Sequence, residues 1–93
     1  MFERVLNRMG KLVRTRQYVM TLHAEDEMDA DGLTIFDVEG VILTGQIIKR
    51  QKDRASAGWK CVVSGQALSG DAATVVTKFG LTGKLVFITV FRD

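Results

Sequence analysis

The chain has 93 residues, 46% hydrophobic and 26% charged with a net charge of +2, which suits one globular domain over 1–93 and argues against disorder. Its longest apolar run, Leu85 to Val90 with Thr89 inside it, falls far short of a membrane span, and the charged and apolar residues alternating at the N-terminus do not make a signal peptide. One cysteine excludes an internal disulfide and paired-cysteine zinc sites and suits a reducing cytoplasm; neither a metal nor another cofactor is expected.

Residues 1–16 carry the first element. Phe2, Val5, Leu6, Met9, Leu12 and Val13 recur at spacings of three and four, while Arg4, Arg8, Lys11 and Arg14 face away. Such a basic amphipathic helix can lie on a membrane, but an apolar stripe ordinarily docks on its own domain or on a partner protein, and docking is expected here. Tyr18 to Thr21 reads as a short strand or an extended connector. Residues 17–45 form an acidic helical part, with seven acids and no Lys or Arg between His23 and Glu39. Within it, His23 to Asp31 reads as a short helix capped by Thr21 and stopped by Gly32, with Leu22, Ala24 and Met28 inward. Thr34 and Asp37 have the spacing of a capping box. The helix they start turns Ile35, Val38, Val41 and Ile42 inward and ends at Gly45.

After Gly45 the period becomes that of strands. Gln46 to Lys52, Trp59 to Ser64, Ala72 to Phe79 and Lys84 to Arg92 read as four strands. A polar loop over 53–58, a turn region from Gly65 to Asp71 and a tight Gly80–Gly83 connection join them. Short links favour antiparallel neighbours in sequence order. The last strand is apolar on both faces, which places it centrally. The fold expected is therefore α+β, with N-terminal helices packed on a four-stranded antiparallel β-meander. The sheet is basic: Gly40 to Asp93 holds eight Lys or Arg against three acids. Such a field attracts polyanions, RNA among them, or draws the two halves of the domain together.

His23 is the only histidine. A free imidazole titrates at about 6.5, so it exchanges a proton near neutral pH, and Glu27, one turn on, can orient it. A structural histidine at a helix start would look the same. Lys52, Arg54 and Lys60 gather about the first hairpin with Lys49 and Arg50, where they can hold a phosphate backbone or merely guard a sheet edge. Trp59 can stack on a base or fill the core. Arg50, Lys78 and Arg92 lie within or at the ends of strands, where a cation can stabilise a phosphorane-like transition state or simply face water. Cys61 reads as a buried strand residue. The chain has no phosphate loop, dinucleotide fingerprint or serine elbow, and Asp29-Ala30-Asp31-Gly32 does not complete a calcium loop.

Tyr18-Val19-Met20-Thr21-Leu22-His23-Ala24-Glu25-Asp26-Glu27-Met28, then Gly32-Leu33-Thr34-Ile35-Phe36-Asp37-Val38, Gly45-Gln46-Ile47-Ile48 and Ile88-Thr89-Val90-Phe91 follow a known order. It resembles a family of short prokaryotic proteins of unassigned function, marked by a His-Ala-x-x-Arg-Met element and a terminal Thr-Val-Tyr strand. Glu27 stands where those relatives tend to have arginine, and Phe91 where they tend to have tyrosine. The resemblance implies a fold similar to the RelE, BrnT and MqsR toxins and a metal-independent endoribonuclease activity within a toxin–antitoxin pair. It also implies a small zinc-finger antitoxin of the MqsA sort as partner. His23 would be the functional histidine, with Thr89 and Arg92 near it. As base or acid it would work with Glu27 as orienter or second carboxyl group, and with Lys78 or Arg92 stabilising the dianion formed when a ribose 2′-hydroxyl attacks phosphate. The alternative is a non-catalytic module that binds protein or nucleic acid and in which His23 is structural.

Overall fold

The computed structural model describes residues 2–54 and 58–93. In chain order the elements are α1 (Glu3–Arg14), β1 (Tyr18–Met20), α2 (Leu22–Ala30), α3 (Ile35–Thr44), β2 (Gln46–Lys52), β3 (Trp59–Gln66), β4 (Ala72–Phe79) and β5 (Leu85–Arg92). The α+β class and the four long strands match the sequence pattern closely. Of the polar loop expected over 53–58, Ala55, Ser56 and Ala57 lie outside the described residues.

The sheet corrects one expectation. Its order is β1-β5-β4-β3-β2; β2 to β5 form the antiparallel meander, but β1 adds a fifth strand parallel to β5. The sheet is therefore mixed and five-stranded, not four-stranded and antiparallel. Three residues are too few to show a strand period, and their partner, Leu85 to Phe87, lies at the other end of the chain. Tertiary contacts hold β1 in place. The Leu85 N–H donates to the Gln17 carbonyl at 3.1 Å, and the Tyr18 and Phe87 rings meet edge to face with centroids 5.4 Å apart. The Tyr18 hydroxyl donates to Glu39 of α3; burial, with help from that carboxylate, pushes the phenol up to about 12.

Two β-bulges shift which residues face the core. Ile48 interrupts the β2–β3 register, so Ile47 pairs with inward Val63 and Arg50 with inward Cys61. Ile88 interrupts β4–β5, so Phe87 and Val90, three apart, are both fully buried. A strand that reads apolar on both faces thus turns two of its bulky residues the same way. The central place expected for β5 belongs to β4; on its other side β5 is flanked only by the three residues of β1.

The helices cover one face of this sheet. Met9 and Val13 of α1 are buried, Val5, Leu6 and Leu12 are partly so, and the Thr77 hydroxyl reaches the Met9 sulfur at 3.9 Å. Its stripe thus docks on the chain's own core, and among the described residues no helix is long and apolar enough to cross a membrane. Thr21 caps α2 as expected, accepting from the Ala24 N–H at 3.1 Å. Ala24 is fully buried, but Leu22, expected inward, is 78% exposed. Two positions on a helix are about 200° apart, so Leu22 cannot share a face with Ala24. Gly32, at φ +66°, then reverses the chain.

The capping box of α3 is complete. Asp37 accepts from the Thr34 N–H at 2.8 Å while its own N–H donates to the Thr34 hydroxyl at 3.3 Å. The last turn of α3 rests directly on β3 because position 65 is glycine. A methyl group there would come within 2.4 Å of the Val41 carbonyl and 2.9 Å of the Gly45 Cα.

Asp37 joins cap and sheet, since its carboxylate is held below the usual range by the Thr34 N–H first, and also by the backbone of Ser69 and Leu68 in the β3–β4 turn. Asp37→Ala should cost about 1.5–3 kcal/mol in urea unfolding at neutral pH, as for hydrogen bonds to a charged group. A depressed folded-state pKa gives stability that is present above the unfolded value of about 3.9 and lost as pH falls through the folded one. The gap between wild type and variant should therefore narrow in acid. A penalty that stays constant down through that window would show that the charge of Asp37 is not what holds the cap.

Candidate functional site

Beyond Phe87, β5 has no strand among the described residues on the side where β1 paired with it. The first turn and one face of α2 take over. The Thr21 N–H donates to the Phe87 carbonyl at 3.1 Å and the Thr21 hydroxyl to the Ile88 carbonyl at 3.2 Å. The Val90 N–H then donates to Glu27 Oε1 at 3.2 Å, and the Arg92 N–H to Asp31 Oδ2 at 2.8 Å. The spacings match: four residues of helix advance about 6 Å and two residues of strand about 6.7 Å. Glu27 and Asp31 thus act as the acceptors of a missing strand.

This anchoring places His23. Its Nε2 lies 3.1 Å from the same Glu27 Oε1, with the imidazole 69% exposed and the carboxylate 29%. The expected pairing of these two residues is therefore present. The expected cations do not join it. Lys78 Nζ is 3.0 Å from Asp53 Oδ2, and Arg92 Nη1 is 3.1 Å from Asp71 Oδ2. Lys78 is paired across the sheet with Val86, and four residues of strand, on the order of 13 Å, separate Val86 from Val90. Thr89 adjoins Val90 in sequence, but Val90 points into the core, so Thr89 points to the opposite face. Around His23, α2 carries Glu25, Asp26 and Asp29, and Asp31 caps its C-terminus. The local field at the imidazole is that of an acidic edge.

The opposite edge is basic. Lys49, Arg50 and Lys52 of β2 and Arg54 beyond it are exposed, and Lys60 of β3 is half-buried. Lys52 is the cross-strand partner of Trp59, and Arg50 that of Cys61, so all four lie on the helix-bearing face; Lys60, opposite Gln51, lies on the other. Trp59 does not fill the core: it is 52% exposed, with the Arg50 guanidinium 4.6 Å from its ring centroid. Gln51, Lys52, Asp53, Arg54 and Lys60 line a shallow depression at the end of the hairpin. Asp53, its one acid, is buried and bonded to Lys78. Cys61 is buried as expected; burial pushes its thiol up, and Arg50 nearby counteracts this, so the sulfur stays protonated at neutral pH.

Apart from Lys78, on the central strand β4, the residues singled out from the sequence therefore divide between two edges. His23, Glu27, Thr89 and Arg92 belong to β5 and the helix beside it; Lys49, Arg50, Lys52, Arg54 and Lys60 belong to the β2–β3 hairpin. Three strand spacings, about 14 Å, separate β5 from β2. Sequence reasoning missed Asp31, whose only signal is its placement one turn after Glu27. Among the described residues, no three His, Cys, Asp or Glu side chains are grouped as a metal would require.

The family model described as a domain of unknown function, DUF4258, matches residues 20–92, which takes in both edges and leaves α1 outside. No curated protein and no solved structure matches the chain.

If α2 supplies the acceptors for β5, the Val90 and Arg92 amides should exchange slowly with solvent deuterium. Glu27→Ala should release the Val90 amide and cost about 1–3 kcal/mol, because its partner is removed while the donor stays partly shielded. Asp31→Ala should release Arg92 instead. Unchanged protection in both variants would refute the surrogate-strand role.

Proposed function

We propose that this chain, which belongs to the DUF4258 family, binds RNA through its basic β2–β3 hairpin. One observation carries the reading: Lys49, Arg50, Lys52, Arg54 and Lys60 gather at one sheet edge, where the nearby carboxylate of Asp53 is already bonded to Lys78. A polyanion meeting that edge releases counterions as each cation neutralises a phosphate, and this release drives association. Across the sheet, α2 carries four acids, Glu25, Asp26, Glu27 and Asp29, and no Lys or Arg, so the field falls from the hairpin toward it and orients the approach.

A second reading is favoured by the 3.1 Å between His23 and Glu27. In it the protein is a metal-independent endoribonuclease of a toxin–antitoxin pair, with the fold and chemistry of the RelE, BrnT and MqsR toxins and a small zinc-finger antitoxin as partner. Glu27 would hold the Nε2–H, leaving Nδ1 to accept the 2′-hydroxyl proton. Thr89, which faces away from Val90, would have to turn toward the pair. Cleavage further asks Lys78 or Arg92 to leave Asp53 or Asp71, and asks a phosphate to approach α2 against its carboxylates. Binding at the hairpin asks neither, and for that reason it is the first reading.

Titrating labelled RNA against salt separates the two. Five cations on a single strand give a log–log slope of at most about −3.5, and Lys52→Glu combined with Lys60→Glu should flatten it by about 1.4. Binding that does not respond to salt, or that the double variant leaves unchanged, would remove the hairpin reading. Cleavage that falls about 10²–10⁴-fold in His23→Ala would establish the second. Intact RNA with both wild type and variant would remove it.

A further inference from the structure

At the end of the sheet where the basic hairpin turns, the first residues of α1 overhang β3 and β4 without closing on them. The opening is a cleft of about 360 Å³, walled by Phe2 and Val5 from the N-terminal side and by Trp59, Phe79, Cys61 and Arg50 from the sheet. Its size lies within the range of small-ligand sites, roughly 300–1,000 Å³. Its walls are mainly aromatic and apolar, with a guanidinium over two of the three rings. Arg50 lies 4.6 Å from the Trp59 centroid, and Arg8 lies 4.1 Å from that of Phe79.

We infer that this cleft receives one unstacked base of a bound strand, so that the hairpin selects single-stranded over duplex RNA. The inference rests on the RNA-binding reading and adds a site to it. Three features lead there. The indole is flat, rigid and 52% exposed, and every nucleobase presents a face that stacks on such a ring. The Arg50 guanidinium is itself a plane on which a base can lie, and its N–H groups can donate to a base edge. Finally, Lys52 is the cross-strand partner of Trp59, with Arg54 just beyond it, so the phosphate joined to a base in the cleft meets a cation at once. A base inside an A-form duplex is paired and stacked and cannot enter.

Trp59 is the only tryptophan, so its fluorescence reports the cleft directly. The full chain is titrated with a short oligoadenylate, with the same oligomer made abasic, and with an RNA hairpin duplex. The oligoadenylate should quench Trp59 and bind more tightly than the other two, while the abasic strand binds through its phosphates without quenching. Trp59→Leu should weaken oligoadenylate about 5- to 150-fold and leave the abasic strand unaffected, and Trp59→Phe should recover most of the loss. Equal, salt-dependent binding of all three probes without quenching would overturn the cleft and leave the phosphate-binding hairpin standing. No salt-dependent binding of any probe would overturn both. Because the comparison of probes uses the wild-type chain, the test does not depend on any variant folding.

Discussion

The last strand is held on its second edge by oxygen atoms rather than by a full-length neighbour. Strand β1 reaches only as far as Phe87, and from there Thr21, Glu27 and Asp31 receive or supply the hydrogen bonds of β5. Without them, backbone groups beside a fully buried valine would be left unpaired, at about 1–3 kcal/mol each. The bulge at Ile88 belongs to the same arrangement. It moves the direction of the free N–H groups by one residue, so that Val90 and Arg92, not Thr89 and Phe91, face the helix. Much else follows from this clamp: where α2 lies, why two of its carboxylates point inward, and why the imidazole of His23 has Glu27 beside it.

The clamp also divides the molecule electrically. It fixes the acidic helix along β5, at one side of the sheet, while β2 carries its cations at the other. A histidine paired with a carboxylate invites a catalytic interpretation, but chemistry on phosphate needs a cation and a field that admits an anion. Here the cations nearest in role, Lys78 and Arg92, each have an acid as partner, and the surrounding helix is negative. Glu27 has a complete structural occupation in its bond to Val90. The hairpin meets the requirements of a phosphate surface without any rearrangement.

Local signals in the chain were legible where local physics decides. The apolar stripe of α1, the Thr21 cap, the Thr34–Asp37 box and the bounds of β2 to β5 all lie within a few residues of their causes. What escaped depends on contacts between distant parts of the chain. A short strand at Tyr18 is one of two alternatives the sequence offers, but its parallel pairing with Leu85 to Phe87, through an aromatic pair and backbone bonds, is announced by no period. Bulges at Ile48 and Ile88 break the alternation from which inward residues are read, which is why Arg50 shares a face with Ile47. Of the candidate site, His23 with Glu27 was visible as one turn of helix, and the cations as a cluster in the hairpin. Nothing in the spacing told that the two groups stand at opposite edges, or that Asp31 serves the backbone of Arg92.

The question of which edge meets RNA can be put to every residue at once by recording amide and side-chain NMR shifts of the uniformly labelled protein as a short single-stranded RNA is added. Recognition by the hairpin predicts shifts concentrated at Lys49 to Arg54 and at Gly58 to Cys61, with the His23 ring and the amides of α2 unmoved. Shifts centred on His23, Glu27 and Thr89, with the hairpin silent, would contradict it and return the active role to the imidazole.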